Sequence, residues 1–287
     1  MLDEWAALSG KVAVVTGGAN GMGRACSVEL ARAGVAVAVC DRDADALAAT
    51  RQELDDLGAR AAYAHFDVRD SDALTAFFEQ VDAELGALDI LVNIPGGGFR
   101  RETIDMTPNG TMAVIRQNFL SVLEASQQAA RRMIAKGTGG AIVNMSSIEA
   151  HRAMPEMGVY GAMKAAVEHL TMTLAVELGP HGIRVNAIAP DHFPNEETIA
   201  AGYEDPDQTG PLAQLESAVS IPLRRKGTGR DAAGVVLFLA SDLAAYVTGT
   251  TILIDGGTAS QHGWLQWPEE GWRNLVPREV LARLDVT

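Results

Sequence analysis

Short apolar runs rich in Val, Ile and Ala recur along the chain, separated by longer stretches whose apolar residues follow helical spacing. Residues 12–16, 35–40, 61–65, 90–93, 141–145, 184–189 and 251–254 read as strands. None alternates strictly between apolar and polar positions, the pattern of strands covered on both faces. Strand and helix taken in turn, joined by right-handed crossovers, predict an α/β fold: a Rossmann-like, doubly wound parallel sheet of about seven strands flanked by helices. No repeat, low-complexity tract or linker divides residues 1–287, so a single domain is expected. The alternation breaks at about 191–220, where residues 195–215 are rich in turn formers and acids and read as a mobile segment over the active site. Residues 258–287 read as a C-terminal extension.

A chain of 287 residues, 47% of them hydrophobic, can bury a large core without disulfides or a structural metal, and no metal site is expected. The 37 acidic against 23 basic residues leave a net charge of −14, which argues against nucleic acid or an anionic membrane as a partner. Cys26 and Cys40 fall in a helical pattern and a strand pattern, not a disulfide framework, and a reducing cytoplasm fits. The opening MLDEWAALSGK carries two acids and no signal-like apolar run, and no later segment is long enough to span a bilayer, so a soluble protein is expected.

The first strand runs into Thr16-Gly17-Gly18-Ala19-Asn20-Gly21-Met22-Gly23, which then opens a helix. Gly17, Asn20, Gly21, Met22 and Gly23 are thereby placed where backbone amides and a positive helix end meet a pyrophosphate. The spacing by itself also suits a plain tight turn. Asp41 ends the second strand, where a carboxylate accepts from both ribose hydroxyls and repels a 2′-phosphate, favouring NAD over NADP. Adjacent Arg42 weakens that preference. Asp41 is alternatively an N-cap for the helix that follows.

Tyr160 and Lys164 are four apart in a helical pattern, so phenol and ammonium share a face. A phenol with a pKa of about 10 is a poor base near neutrality until a neighbouring ammonium favours the phenolate. Tyr-x-x-x-Lys is also a common surface pair. Ser146 and Ser147 end the fifth strand at the side where open α/β sheets bind ligands. Either can hold a substrate oxygen, or merely satisfy a turn.

Taken together, TGGANGMG, Asp67-Val68, the serine pair, YGAMK and GTTILIDGG fall in one order, and over residues 8–258 the chain resembles the short-chain dehydrogenase/reductase family. The resemblance implies Ser147, thirteen residues before Tyr160, as the catalytic serine and Asn118 as the helix asparagine that holds a relay water. It implies that Tyr160 exchanges the proton, Ser147 positions the substrate oxygen, and Lys164 binds the nicotinamide ribose and lowers the tyrosine pKa. Asp67 and Val68 are implied at the adenine, Asn93, Pro95 and Gly96 along the cofactor, and Pro190 and Phe193 near the carboxamide. A homotetramer or homodimer is implied as well.

Two departures stand out. Asn93-Ile94-Pro95-Gly96 replaces the family's usual Asn-Asn-Ala-Gly, removing a turn asparagine. Pro190-Asp191 replaces Pro-Gly, and Asp191 reads as an outward, solvated loop acid, with substrate recognition as the other reading. Met154, Met157, Phe193, Trp264, Trp267 and Trp272 can wall an apolar pocket or pack ordinarily in core or interface. His151, Arg152 and His192 lie at the active-site end without a catalytic role. Ser147, Met154, Tyr160 and His192 are candidate substrate contacts. The expected activity is NAD(H)-dependent exchange between a secondary alcohol and a ketone, on a lipophilic substrate such as a steroid-like or 3-hydroxyacyl compound. Alternatives are a non-catalytic dinucleotide-binding regulator and a methyltransferase, which has no use for the Tyr/Lys pair.

Overall fold

The structure, a computed structural model, describes residues 5–194, 207, 210–268 and 271–274. Its centre is a seven-stranded sheet of β1 (Val12–Thr16), β2 (Ala36–Asp41), β3 (Ala61–His65), β4 (Ile90–Asn93), β5 (Gly140–Met145), β6 (Ile183–Pro190) and β7 (Thr251–Ile254). The order is β3-β2-β1-β4-β5-β6-β7 and every neighbour pair is parallel. The chain winds outward from β1 to β3, then returns to β4 on the other side of β1. A crevice is left at the carboxyl ends of β1 and β4, where ligands of such sheets bind.

The missing polar alternation has a plain cause. Ala13 and Val15 face one buried cluster while Val12 and Val14 face another. The first cluster is completed by α1 (Gly21–Arg32) and α8 (Gly229–Ala240), through Cys26, Leu30, Val236 and Leu239. The second is completed by α3 (Ser71–Glu84), α5 (Ser121–Lys136) and α6 (Gly158–Leu178), through Phe77, Phe78, Met133 and Leu178. Helix starts are set by local chemistry: Asp43 caps α2 (Ala44–Asp56), Asp70 caps α3, and Thr228 with Asp231 forms a capping box on α8.

The segment expected to be turn-rich is partly a helix, α7 (Pro211–Ser220), which Pro211 starts at a position where its missing N–H costs nothing. Its remainder, residues 195–206, 208 and 209, lies outside the described residues, as do residues 275–287. Between α3 and β5, α4 (Pro108–Ile115) passes through a π turn, Arg116–Leu120, directly into α5. After β7 come α9 (Thr258–Gln261) and a hairpin of β8 (Leu265–Trp267) and β9 (Gly271–Arg273). Trp264 and Trp272 stay half-exposed along a shallow groove with Pro222 and Gln261, and neither lines the cavity that Tyr160 borders. Among the described residues no helix is long and apolar enough to cross a membrane, and no cluster of His, Cys, Asp and Glu is placed to hold a metal.

Candidate active site

At the end of β1 the backbone turns through Gly17 (φ 62°) and Gly21 (φ 50°), left-handed positions that a side chain strains. A Cβ on Gly23 would drive into the Gly17 carbonyl, so the turn closes only on glycine there. Asn20 accepts from the Gly21 N–H at 2.7 Å and caps α1, whose first turn carries no acid. The first-turn amides of α1 have no intrahelical acceptor, and the helix end is electropositive. Asp41 is not the N-cap of α2. Its buried carboxylate accepts from Ala19 N–H and Asp43 N–H, both at 3.1 Å, bracing the glycine turn from the end of β2. An amide cradle with a carboxylate beside it fits the pyrophosphate and ribose of an adenine dinucleotide.

Other expected cofactor residues are placed less simply. Asp67 accepts from Arg69 Nε and backbone N–H, each at 2.9 Å, and the Arg69 guanidinium holds its carboxyl below the usual range. The carboxylate expected at adenine is thus tied to Arg69, and Val68 packs against the buried cluster that α3, α5 and α6 complete. Arg42 offers its carbonyl to His65 at 3.0 Å. Asn93 turns inward: its Oδ1 accepts from Thr16 Oγ1 at 3.2 Å, and its Nδ2 donates to Ser126 Oγ at 3.2 Å and Asn144 Oδ1 at 2.9 Å. Asn144 in turn donates to Thr171 Oγ1 at 2.9 Å. Asn93 thus ties β1, β4, β5 and α5 together directly, and α6 through Asn144. Pro95, in place of a smaller residue, lays its ring against Gly17, whose built Cβ would meet it at 3.3 Å.

Past Pro95 the chain approaches the catalytic candidates. The π turn aims Asn118 at Gly97: Oδ1 accepts from Gly97 N–H at 3.1 Å, while Nδ2 donates to the carbonyls of Gly97 at 2.8 Å and Val114 at 2.9 Å. The side chain is fully buried, and both its oxygen and its nitrogen are engaged within the chain. Gln117 Nε2 donates to Gly96 O at 2.8 Å and pins the same loop. Sequence patterning offered no sign of this, because a π turn has no distinctive composition.

Lys164 is completely buried. Its Nζ donates to the Met145 carbonyl at 2.9 Å, sits 5.7 Å from the Tyr160 ring centre, and lies 2.8 Å from where a Cβ on Gly96 would be. Burial pushes its pKa down to about 7. Met145 leads straight into the two serines, which the structure separates. Ser146 Oγ bonds Glu168 Oε1 at 2.7 Å, whereas Ser147 Oγ accepts from Glu149 N–H at 3.2 Å and keeps its own hydrogen to donate. Tyr160, in the first turn of α6, shares a small cavity with Gly98, Phe99, Met106, Val114 and Met157. Met106 and Met157 line this cavity, and Met154 does not.

At the end of β6, Asp191 is neither outward nor solvated. Its side chain is 8% exposed, paired with Arg152 Nη2 at 3.0 Å and accepting from Thr258 Oγ1 at 2.6 Å. Arg152 also bonds Glu149, so one guanidinium links the exits of β5 and β6. His192 adopts φ 53°, its carbonyl accepting from Gly227 N–H at 2.9 Å, and the Phe193 ring covers Gly227. Pro190, last in β6, is half-buried beside them.

Strand exits that gather a glycine turn, an acid and a serine, tyrosine and lysine are how a doubly wound sheet becomes a nicotinamide-dependent oxidoreductase. The family profile described as Enoyl-(Acyl carrier protein) reductase matches residues 17–259, and the chain belongs to the short-chain dehydrogenase/reductase family. It is 37% identical over 248 residues to a Bacillus subtilis (strain 168) protein named probable 2,4-dienoyl-CoA reductase, covering 86% of this chain and 96% of that one. It is 36% identical over 281 residues to the cyclohexanol dehydrogenase of Rhodococcus sp. (strain TK6), covering 87% and 96%. Among solved structures, a 7 alpha-hydroxysteroid dehydrogenase complexed with NADH and 7-oxo glycochenodeoxycholic acid superposes with a TM-score of 0.81 at 32% identity, over 90% of this chain and 97% of that one.

Proposed function

We propose that this protein interconverts a secondary alcohol and a ketone with NAD(H), using Tyr160 as the proton-transfer group. The observation that carries the reading is the seat of Lys164, whose Nζ is held between the Tyr160 ring and Gly96 on the carbonyl that leads to Ser147. When bound, the dinucleotide supplies or accepts the hydride. The chain's own groups do the rest: Ser147 Oγ donates to the substrate oxygen, the Tyr160 hydroxyl gives or takes its proton, and Lys164 would hold the nicotinamide ribose and, in its protonated form, favour the phenolate. Asn118 keeps the Gly97 loop in place. Gly17, Gly21, Met22 and Gly23 would hold the pyrophosphate, and Asp41 the adenosine ribose, where its charge selects against a 2′-phosphate.

A lipophilic substrate suits Phe99, Met106, Val114 and Met157 beside Tyr160, and the hydroxysteroid and cyclohexanol dehydrogenases among the similar proteins act on compounds of that kind by their names. A second copy is the expected partner, in a homodimer or homotetramer, since Met172 and Val176 on α6 are exposed. The competing reading, a non-catalytic dinucleotide-binding regulator, draws on Ile94-Pro95 and Asp191. Titration with NADH and NADPH followed by turnover across steroid alcohols, 3-hydroxyacyl thioesters and small secondary alcohols separates the two. NADH binding with turnover is the expected result, and tight NADPH binding with weak NADH binding would overturn the cofactor choice.

A further inference from the structure

Of the two serines that follow β5, only Ser147 meets substrate in the proposed reaction. Ser146 is 1% exposed and donates its hydroxyl hydrogen to Glu168 Oε1 at 2.7 Å. The Lys164 carbonyl, at 3.3 Å from the same hydroxyl, is the weaker acceptor. Glu168 stands on α6 four residues after Lys164 and eight after Tyr160, so the three share one side of the helix. His151 Nε2 meets the same Oε1 at 3.0 Å, and because a carboxylate only accepts, the ring hydrogen lies on that nitrogen. Ser146 and His151 flank Ser147 and the short turn it caps, Ile148–Ala150. Within that turn Ser147 Oγ accepts from Glu149 N–H at 3.2 Å and the Ser147 carbonyl accepts from Ala150 N–H at 3.0 Å. One carboxylate oxygen therefore closes the turn on both sides of Ser147, and it does so from the helix that carries the tyrosine and the lysine.

We propose that Glu168 is a positioning residue for Ser147: by holding Ser146 and His151 on one oxygen it fixes the serine hydroxyl relative to Tyr160 on the same helix. This rests on the dehydrogenase reading above and deepens it. The only hydrogen bond that the Ser147 hydroxyl makes within the described residues is the 3.2 Å one from Glu149 N–H, so its place depends on the turn being held. A misplacement of about 1 Å in a reacting constellation costs about a hundredfold in rate. Ser146 and His151 then serve as the two anchors of the turn and touch neither substrate nor cofactor.

The test compares wild type, Glu168→Ala, Ser147→Ala and the double variant as full chains. It reads kcat and KM on the best alcohol of the panel, NADH affinity, and residue-resolved amide exchange of Glu149 in the cofactor-free protein. Glu168→Ala should lower kcat about tenfold to a hundredfold with NADH affinity kept. Exchange of the Glu149 amide should quicken about tenfold or more while the amides of β4 stay protected. In the Ser147→Ala background the same change should lower kcat by less than about twofold, because the group it positions is gone. A residue that merely supports the fold would lower kcat equally in both backgrounds. Glu168→Gln, whose amide oxygen still accepts from Ser146, should keep kcat within about threefold of wild type. Ser146→Ala removes the nearer anchor and should show the same dependence on Ser147, which serves if Glu168→Ala folds poorly. An unaltered kcat in Glu168→Ala, or an equal loss with and without the Ser147 hydroxyl, overturns the proposal. If wild type turns over no alcohol, the hydride-transfer reading fails and amide exchange decides alone: a faster Glu149 amide in Glu168→Ala upholds the hold on Ser147, and an unchanged one overturns it.

Discussion

At the scale of single residues, Lys164 carries the most physical tension. An ordinary lysine titrates near about 10.4, and burial brings this one down to about 7. Between those values the unfolded chain holds a proton that the folded chain does not, so this group makes stability rise with pH across that window. Urea unfolding of the cofactor-free protein should therefore show wild type gaining on Lys164→Met as pH goes from 7 toward 10. A flat or falling difference would contradict the burial of the amine. Asp41 makes a second prediction. Asp41→Ala removes the charge that opposes a 2′-phosphate and also frees Ala19 N–H. The NAD-over-NADP ratio in kcat/KM should fall about tenfold or more, since juxtaposed like charges cost several kcal/mol. An unchanged ratio would show that discrimination lies elsewhere. Sequence reading singled out Asp41, Tyr160 and Lys164 because each sits at a strand end or at helical spacing, whereas Ser147 was preferred to Ser146 only through the family resemblance. It missed Asp191, because charge in a loop predicts exposure and nothing in one sequence announces a partner such as Arg152 from another loop.

At the scale of elements, each predicted strand is present with ends shifted by one residue at most, because Val, Ile and Ala runs bounded by turn residues carry their own signal. The π turn was not legible, nor was α7 within a segment whose acids and glycines suggested only turns. Asp43 could be told from Asp41 as the cap only once side-chain bonds were seen. Asp43→Ala should cost about 1 kcal/mol in unfolding free energy, the usual worth of an N-cap, with cofactor affinity little changed. A loss of cofactor affinity as large as that of Asp41→Ala would contradict the division of labour between the two acids. Gly23→Ala is the severe case: its Cβ meets the Gly17 carbonyl, so the turn must open and dinucleotide binding should be lost even where the protein still folds.

Across the whole molecule, the apolar layers on both faces of the sheet were foreseeable from composition and pattern, while the polar thread through its middle was not. Asn144 within an otherwise apolar strand was the available clue. Thr16, Asn93, Ser126, Asn144 and Thr171 join β1, β4, β5, α5 and α6 in one buried network just under the crevice. Asn93→Ala strands several of these groups at once, and each buried polar group left without a partner costs about 1–3 kcal/mol. The variant should lower the urea midpoint clearly and should weaken cofactor binding along with it, because the same network sets the spacing of the strand exits. Destabilisation with unaltered cofactor affinity would confine the network to a packing role.

The central claim is that Tyr160, on the Lys164 and Ser147 framework, moves the proton in a hydride-transfer reaction. Absorbance-monitored reduction of NAD by wild type and Tyr160→Phe, on the best alcohol of the panel and with NADH affinity measured in both, tests it most directly. The account predicts a drop in kcat of about a hundredfold or more, the range of general acid–base catalysis, with NADH binding preserved. Equal turnover in the two proteins would contradict it.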